Sequence, residues 1–308
     1  MQIEYKISGI GLSSIRSSRM YRIIEDAIVR ALARANIHLP PDVKNALKRA
    51  YKTEESERAR IQIETMLRNL ELAEELNRPI CQDTGLIVYY VRMGYDFRVR
   101  IDTIEKALIS ATRRATIEIP LRPNTVDPLT GENPGDNTGR NSPIIHWEFT
   151  KGDSLEIVVV PKGGGSEYVT VLKAIPPGLG LRGVKKVVVD AVLEAGAKPC
   201  PPTIVGIGLG GGVDTAVYLA KKAASVRRLG TMNPNPTLAR LEEELYNELN
   251  SLGIGPQGLG GRTTVLGVHI DYSYRHPAFY PVAVAFQCWA ARRATVLVGR
   301  DGSSTIVQ

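Results

Sequence analysis

The residues best suited to metal chemistry in this chain of 308 are its three cysteines, Cys81, Cys200 and Cys288. Their number is odd and no secretory signal precedes them, so a disulfide framework is not expected. No two form a CxxC pair, which counts against a zinc site built within one turn. Scattered cysteines are commonly small buried apolar residues. The segments around them therefore decide between packing and a shared site.

The segment RPICQDTGL, residues 78–86, brings three chemically active groups into one turn. Cys81, Gln82 and Asp83 place a thiol, an amide and a carboxyl side by side where a helix gives way to a strand. Cysteine thiolates bind metals, and a carboxyl group can donate or accept a proton. A simple Asp/Thr/Gly turn beside a buried cysteine remains the alternative interpretation.

Two glycine-rich segments follow predicted strands. VPKGGGSEY, residues 160–168, permits close backbone approach and offers main-chain N–H groups, at Gly164 and Gly165, to an anion. KPCPPTIVGIGLGGGVDTA holds Cys200 among prolines, which stiffen its backbone. Its GxGxxG spacing resembles a dinucleotide site, but no acidic residue stands about 20 residues on. We interpret these glycines as allowing strand and helix backbones to approach.

The segment HPAFYPVAVAFQCWAARRA leads from a histidine to the last cysteine. His276 precedes a proline in a predicted loop, and Cys288 ends a buried-looking strand. A histidine can serve as an acid, a base or a hydrogen-bonded structural residue. Its position on a Gly/Pro-rich stretch leading to a cysteine favours a functional role.

The elements that must position these residues predict a mixed α/β fold. Helical periodicity dominates the first eighty residues, and strands alternate with helices thereafter. The strands IIHWEF and LEIVVVP flank a KGD turn and predict a hairpin. Residues 121–143 form a long Pro/Gly/Asn/Asp loop of the functional or disordered type. We expect one domain over residues 1–308, in which two lobes with a boundary near residue 150 pack around a central site.

Composition limits the protein class. The chain is 43% hydrophobic and 23% charged, with a net charge of +7. The charges are interleaved and aromatic residues make up only 6%, so neither a nucleic-acid nor a membrane partner is expected. Without a membrane span or signal pattern, a cytoplasmic location is expected.

Taken together, these segments resemble the α subunit, or N-terminal half, of the class I iron–sulfur fumarase and L-tartrate dehydratase family. The resemblance rests on RPICQDTG, KGGGSE, KPCPPTIVGIGLGG, GPQGLGG and HP-A-x-YPVA-x-x-x-QC, in this order and with all three cysteines inside the motifs. The loop LRPNTVDPLTGENPGDNTG is also similar to that of the family.

The resemblance implies a four-iron, four-sulfur cluster on Cys81, Cys200 and Cys288. Such clusters commonly take four thiolates, so three cysteines leave one iron open as a Lewis acid for substrate. The resemblance implies that Asp83 is the proton donor, that Arg122 binds a substrate carboxylate, and that Gln82, Gly164, Gly165 and His276 complete the pocket.

The implied reaction is hydration or dehydration of a small dicarboxylate, fumarate to malate in the first instance. L-tartrate dehydration and a non-catalytic metal- or cluster-binding regulatory role are the alternatives. Single-chain relatives carry the base and further Arg and Lys groups in a C-terminal domain. We therefore expect a hetero-oligomer with a separate β subunit. Tyr168 stands where relatives more often carry Asn, so the exact substrate need not be shared.

Overall fold

The computed structural model of the chain describes residues 10–308, and side chains from residue 18. The helices are α1 Ile10–Ile37, α2 Pro41–Thr53, α3 Glu57–Leu76, α4 Ile101–Glu118, α5 Gly164–Tyr168, α6 Gly180–Ala195, α7 Val213–Val226 and α8 Pro236–Ser251. The strands are β1 Leu86–Gly94, β2 Ile144–Thr150, β3 Leu155–Lys162, β4 Val171–Ile175, β5 Thr203–Leu209, β6 Val265–Tyr272, β7 Tyr280–Gln287, β8 Ala294–Val298 and β9 Ser304–Val307. The predicted mixed α/β fold with a helical N-terminal region is confirmed.

The chain folds into two compact units, each assembled from separate stretches of sequence. The first contains the described residues up to Ala35, together with Thr84–Pro161 and Ala294–Gln308. The second contains Asn36–Asp83 and Lys162–Arg293, and therefore all three cysteines. Among the described residues, no helix is long and apolar enough to cross a membrane.

The first unit is built on a sheet with the strand order β2-β1-β3-β8-β9. β1 runs parallel to β2, with Val88 opposite Ile144, whereas β8 is antiparallel to both of its neighbours. The predicted β2–β3 hairpin is wrong, because β1 lies between those two strands. β1 is buried along most of its length, and a strand buried on both faces takes a central place in a sheet.

The long loop 121–143 of the first unit is ordered by its own polar side chains. Asn137 is 1% exposed, accepts a bond from the Asn124 N–H at 2.7 Å and donates to the Arg122 carbonyl oxygen at 3.2 Å. Asn137 also donates to Thr116 Oγ1 of α4 at 3.1 Å. The loop therefore has a fixed path on which Arg122 is exposed.

The second unit is built on a sheet with the strand order β4-β7-β5-β6. β5 is parallel to β6 and antiparallel to β7. Helix α7 packs directly on β5, because a methyl group at Gly206 or Gly208 would overlap main-chain carbonyl oxygens of Ala220 or Ala216. The glycines of the GxGxxG pattern thus allow strand and helix backbones to approach, as interpreted from the sequence.

Two apolar clusters hold the helices of the second unit in place. One contains α6 and α8 with the inner faces of β5, β6 and β7, around Val188, Leu245 and Val284. The other joins α2 and α3 to Ile80 and Ala290, which are close in sequence to Cys81 and Cys288. Burial of α2 and α3 therefore also fixes the backbone leading to two of the cysteines.

Glu54, in the turn between α2 and α3, ties these helices to the glycine-rich loop 253–263. The residue is 5% exposed, and its carboxylate accepts the N–H groups of Arg262 at 3.0 Å and Thr263 at 3.1 Å. Burial raises the pKa of Glu54, but the N–H donors of Arg262, Ser56 and Thr263 outweigh burial and hold the pKa below its ordinary value.

We expect Glu54→Gln to lower the free energy of unfolding at neutral pH by about 1.5–3 kcal/mol, because the amide cannot accept the same set of charged-group hydrogen bonds. A carboxyl whose pKa is lowered by folding contributes stability above its unfolded pKa and loses it as the pH falls through the folded pKa. The deficit should therefore shrink as the pH falls below about 4. Denaturant unfolding at both pH values measures it.

The matched control for this variant is Glu55→Gln. The Glu55 side chain is 82% exposed and pairs with the Arg262 guanidinium at 3.1 Å, so the unfolding curve of this variant should stay close to that of the parent at both pH values. A Glu54→Gln deficit no larger than that of Glu55→Gln would contradict the anchoring role.

Candidate functional site

Cys81 follows a tightly held backbone at the end of α3. Asn77 ends the helix in the left-handed conformation, with φ of 51°. Ile80 is buried, its N–H donates to the Asn36 carbonyl oxygen at 2.8 Å, and its own carbonyl accepts from Asn69 Nδ2 at 2.9 Å. Because both main-chain groups of Ile80 are bonded, the next residue, Cys81, leaves this backbone in a fixed direction.

Cys200 lies just before β5 in a strained backbone conformation. Its φ is +54°, a left-handed value that is uncommon for a residue other than glycine. The Cys200 N–H donates to the Ala197 carbonyl oxygen at 3.0 Å, and the Gln257 N–H donates to the Pro201 carbonyl oxygen at 2.8 Å. These bonds and the neighbouring prolines hold the conformation, as the sequence predicted.

Cys288 directly follows β7, at the end of the sheet where β5 begins. Gln287, the residue before it, is 2% exposed and donates from Nε2 to Ser225 Oγ at 2.9 Å. The N–H of Trp289, the residue after it, donates to the Cys200 carbonyl oxygen at 3.2 Å. The second and third cysteine segments are therefore joined by a direct main-chain bond.

The Cys200 thiol lies near enough to Cys81 and to Cys288 for electrostatic effects on their pKa values. Burial raises the pKa of Cys200, and the negative charges of Cys81 and Asp83 raise it further. Burial also raises the pKa of Cys288, with a further contribution from Cys200. Cys200 is exposed in this chain, and the other two thiols are partly buried. The fold thus brings together three cysteines that are far apart in the sequence.

Two buried cations accompany Cys288 and oppose the rise of its pKa. These are Arg292, which is 2% exposed, and Lys162, which is 1% exposed. Arg292 donates from Nη2 to the Asp83 carbonyl oxygen at 2.7 Å and from Nη1 to Asn36 Oδ1 at 3.1 Å. Its buried Nε has no hydrogen-bond partner among the described residues. The guanidinium therefore joins the Cys288 segment to the Cys81–Asp83 segment and retains one unused donor.

The Asp83 carboxylate lies against the KGGG turn. Asp83 Oδ2 accepts the Gly164 N–H at 2.8 Å. A methyl group at Gly163 would come within 3.1 Å of Asp83 Oδ2, and one at Gly165 within 2.8 Å of the Lys198 carbonyl oxygen. Glycine therefore allows the turn to fit between the Asp83 carboxylate and the segment that leads to Cys200.

The remaining residues expected at the site are distributed differently. Gln82 is exposed beside Cys81, in the second unit. Arg122 belongs to the first unit, on the ordered loop after α4. The predicted roles of both residues stay predictions.

His276 lies at the end of β7 opposite to Cys288. The register pairs Ile204 with Gln287 at the cysteine end and Leu209 with Val282 at the other end. β7 spans eight residues, which corresponds to about 27 Å of strand. His276 is exposed there and its Nδ1 accepts the Ala278 N–H at 3.1 Å. Within the second unit, this histidine is therefore not brought to the thiols, and its role stays a prediction.

Several side chains that build the site were not recognised from the sequence. Lys162 stands directly before the three glycines and Arg292 follows Cys288 by four residues, so both lie next to motifs that were noticed. Asn36 and Asn69, by contrast, sit on helices with no motif around them. Their contacts with the Cys81 segment arise only in the folded chain.

The geometry of these thiols does not suit a single metal ion. Among residues 10–308, no group of three or more His, Cys, Asp and Glu side chains could hold one. Thiolates on one zinc ion bind at about 2.3 Å, which places their sulfurs within roughly 4 Å of each other. Iron–sulfur clusters instead bind each thiolate to a different iron, so their ligands stand further apart. Cys200 and Cys288 lie at the same end of the β4-β7-β5-β6 sheet, whereas Cys81 follows α3.

Comparison with known proteins gives a consistent family. Residues 25–297 match the family model described as Fumarate hydratase (Fumerase). The chain is 44% identical over 281 residues to a protein of Methanocaldococcus jannaschii named putative L(+)-tartrate dehydratase subunit alpha, covering 90% of this chain and 98% of that one. It is 39% identical over 279 residues to the L(+)-tartrate dehydratase subunit alpha of Escherichia coli K12, covering 90% and 91%. The chain thus belongs to the fumarate hydratase (Fumerase) family of hydro-lyases.

Proposed function

We propose that this chain is the cofactor-binding α subunit of a hydro-lyase that adds water to, or removes it from, a small hydroxy-dicarboxylic acid. The observation that carries the proposal is the placement of Asp83. Its carboxylate is held by the Gly164 N–H at 2.8 Å, and Asp83 is two residues from Cys81, whose negative charge acts on Cys200. A proton donor fixed beside a set of metal-binding side chains is the arrangement that loss of a hydroxyl group requires.

The cofactor in this proposal is a four-iron, four-sulfur cluster held by Cys81, Cys200 and Cys288. The chain has no fourth cysteine, so one iron would be open to substrate and, when bound, would supply Lewis-acid chemistry at the departing hydroxyl. The unpartnered Nε of buried Arg292 supports the fit, because iron–sulfur clusters accept hydrogen bonds at their sulfurs.

Asp83 has the role of proton donor to the departing hydroxyl group. The Gly164 N–H orients its carboxyl through Oδ2, and Arg292 fixes its main chain through the carbonyl oxygen at 2.7 Å. These two contacts leave the carboxyl little rotational freedom. Positioning of this kind makes proton transfer efficient, since small displacements of a catalytic group are costly.

Substrate binding is assigned to Gln82, Arg122 and the main-chain groups of Gly164 and Gly165, and His276 is the second candidate catalytic residue. An arginine fits a substrate carboxylate, because its planar guanidinium can donate two parallel hydrogen bonds. Arg122 is exposed on a loop whose path is fixed by Asn137, which supports a binding rather than a packing role. His276 would act on substrate only if a further element brings it to the thiols.

L(+)-tartrate is the substrate that the relatives favour. The relatives that match over 90% of this chain are named tartrate dehydratase subunits, whereas the family model is named for fumarate hydratase. Fumarate and malate, the first expectation from the sequence, are therefore the second candidate. Tartrate and malate differ by one hydroxyl group, and a site with a polar partner for that hydroxyl group can discriminate strongly between them.

A separate β subunit is the proposed partner. The relatives are named as alpha subunits, and elimination of water needs a base in addition to the acid that Asp83 supplies. The resemblance places that base in the C-terminal half of single-chain relatives. We therefore assign the base to the partner subunit.

The first test compares tartrate with malate and fumarate under identical conditions. With its cluster assembled anaerobically and its partner subunit present, the enzyme should dehydrate L(+)-tartrate with a larger kcat/KM than it converts malate. The chain without the partner should convert neither acid. Substantial activity of the isolated chain would contradict the assignment of the base to another subunit.

The second test replaces each cysteine separately by serine. Because each thiolate would bind a different iron, every single variant should lose the brown colour, the visible absorption and most of the iron of the assembled protein. Full iron binding by a variant would remove that cysteine from the set of ligands. Citrate- or tartrate-induced changes in the EPR signal separate a catalytic cluster from a purely structural or regulatory one.

The third test is Asp83→Asn, which keeps the size of the side chain but removes the ionisable proton. We expect kcat to fall about 10²- to 10⁴-fold while the cluster absorption is retained. Asp190→Asn, on α6 and paired with Lys186 at 2.9 Å, provides the control and should leave kcat unchanged. An Asp83→Asn enzyme with the parent kcat would exclude the acid role.

A further inference from the structure

A buried lysine lies beside the candidate site without a part in the chemistry described so far. Lys162 is 1% exposed, and its ammonium donates to Ser166 Oγ at 2.6 Å. It also pairs with Glu167 Oε2 at 3.3 Å, while Glu167 Oε1 binds Lys221. Burying an ammonium group is costly, and apolar side chains of similar volume are often tolerated as well or better. Retention of a lysine here therefore calls for a reason other than packing.

The ammonium acts on the peptide group that joins Gly163 to Gly164. The carbonyl oxygen of Gly163 accepts the Ser166 hydroxyl at 3.0 Å and the Glu167 N–H at 3.1 Å. The N–H of the same peptide group, on Gly164, donates to Asp83 Oδ2 at 2.8 Å. The C=O and N–H of a trans peptide point in opposite directions within one plane. Fixing the carbonyl therefore fixes the direction in which the N–H meets Asp83.

The direction of this chain of hydrogen bonds is set by Lys162. A serine hydroxyl has one proton to donate, and an ammonium group can only donate. Since Lys162 donates to Ser166 Oγ, the Ser166 proton is directed to the Gly163 carbonyl. Successive hydrogen bonds polarise one another, and more so in a buried setting. The bond from the Gly164 N–H to the Asp83 carboxylate is then both oriented and strengthened.

We propose that Lys162 and Ser166 are positioning residues that hold the Gly163–Gly164 peptide group so that its N–H fixes the carboxyl group of Asp83 for proton transfer. The proposal rests on the proposed role of Asp83 as the acid. In addition, the turn is oriented by the buried ammonium of Lys162 and the hydroxyl of Ser166, neither of which touches substrate.

Ser166→Ala is the decisive variant, because it removes the hydroxyl that connects Lys162 to the peptide group and leaves the lysine in place. In the enzyme with cluster and partner subunit, kcat should fall about 10- to 100-fold, as for a misplaced catalytic group. KM should change little, because Ser166 is buried away from solvent. Iron content and visible absorption should match those of the parent.

Ser56→Ala is the matched control, since it makes the same chemical change elsewhere in the second unit. Ser56 Oγ accepts the Ala59 N–H at 3.4 Å at the start of α3, and the cysteine segment follows the other end of this helix. The control should lower the melting temperature, as loss of a helix N-cap does, with kcat unchanged. An equal loss of kcat in both variants would show a general effect of stability and overturn the proposal.

The double variant Asp83→Asn/Ser166→Ala distinguishes positioning from an independent effect. If Ser166 acts through Asp83, adding Ser166→Ala to Asp83→Asn should cause no further loss of kcat. A further loss equal to that seen in the parent would overturn the proposal. A kcat that depends on Asp83 but is indifferent to Ser166 would overturn the positioning role alone. A kcat indifferent to Asp83 would overturn the acid role and the positioning role together.

Lys162→Met provides a second variant and a readout that does not depend on turnover. Methionine fills a similar volume without the charge, so the Ser166 hydroxyl is no longer directed to one acceptor. In the cluster-free chain, hydrogen exchange of the amides in residues 163–168 should become faster than in the parent, while exchange in α6 stays the same. Unchanged protection of these amides in both Lys162→Met and Ser166→Ala would contradict the proposal.

Discussion

The candidate site depends on the buried guanidinium of Arg292. A buried charge is tolerated only when hydrogen bonds replace the water it has lost, and Arg292 satisfies this with the Asp83 carbonyl oxygen and Asn36 Oδ1. The Asn36 carbonyl oxygen also accepts the Ile80 N–H. The Arg292 side chain therefore contacts the Cys81 segment directly at Asp83 and, through Asn36, at Ile80. Cys200 is joined through the bond from the Trp289 N–H to its carbonyl oxygen. The cysteine segments are thus held together by main-chain bonds and one guanidinium.

Burial and neighbouring charges act in opposite directions on the pKa of Cys288. Burial raises the pKa of both Cys200 and Cys288, and each is raised further by a neighbouring negative group. Metal ligation requires thiolates, and the metal charge then replaces the missing stabilisation. Arg292 and Lys162 supply part of this stabilisation, since both oppose the rise of the Cys288 pKa. Both effects would favour the thiolate form of Cys288.

The sequence predicted the family and the fold class, but not how the candidate site is built. The cysteines, Asp83 and the KGGG turn stand in motifs that could be recognised together, from their order along the chain. The position of β1 between β2 and β3 could not be predicted, because the short KGD connection favoured a hairpin. In the folded chain β1 is buried along most of its length and pairs with both strands. The distance between His276 and Cys288 along β7 could not be foreseen for a related reason. His276 stands only twelve residues before Cys288 in the sequence, but the extended strand β7 between them places the two residues far apart.

The division of labour between main chain and side chains explains how one family can act on different acids. The Asp83 carboxyl is oriented by a peptide N–H and held by a bond to its own carbonyl oxygen, and the glycines at positions 163 and 165 are fixed by close contacts. These features position the Asp83 carboxyl group, but they do not bind the hydroxyl groups of a substrate. Gln82 and Tyr168, which is 81% exposed, are not tied into this network. Function lies in such groups placed on a shared frame. Under the proposed function, substitution at these exposed positions would change which acid binds while the contacts that hold Asp83 are kept.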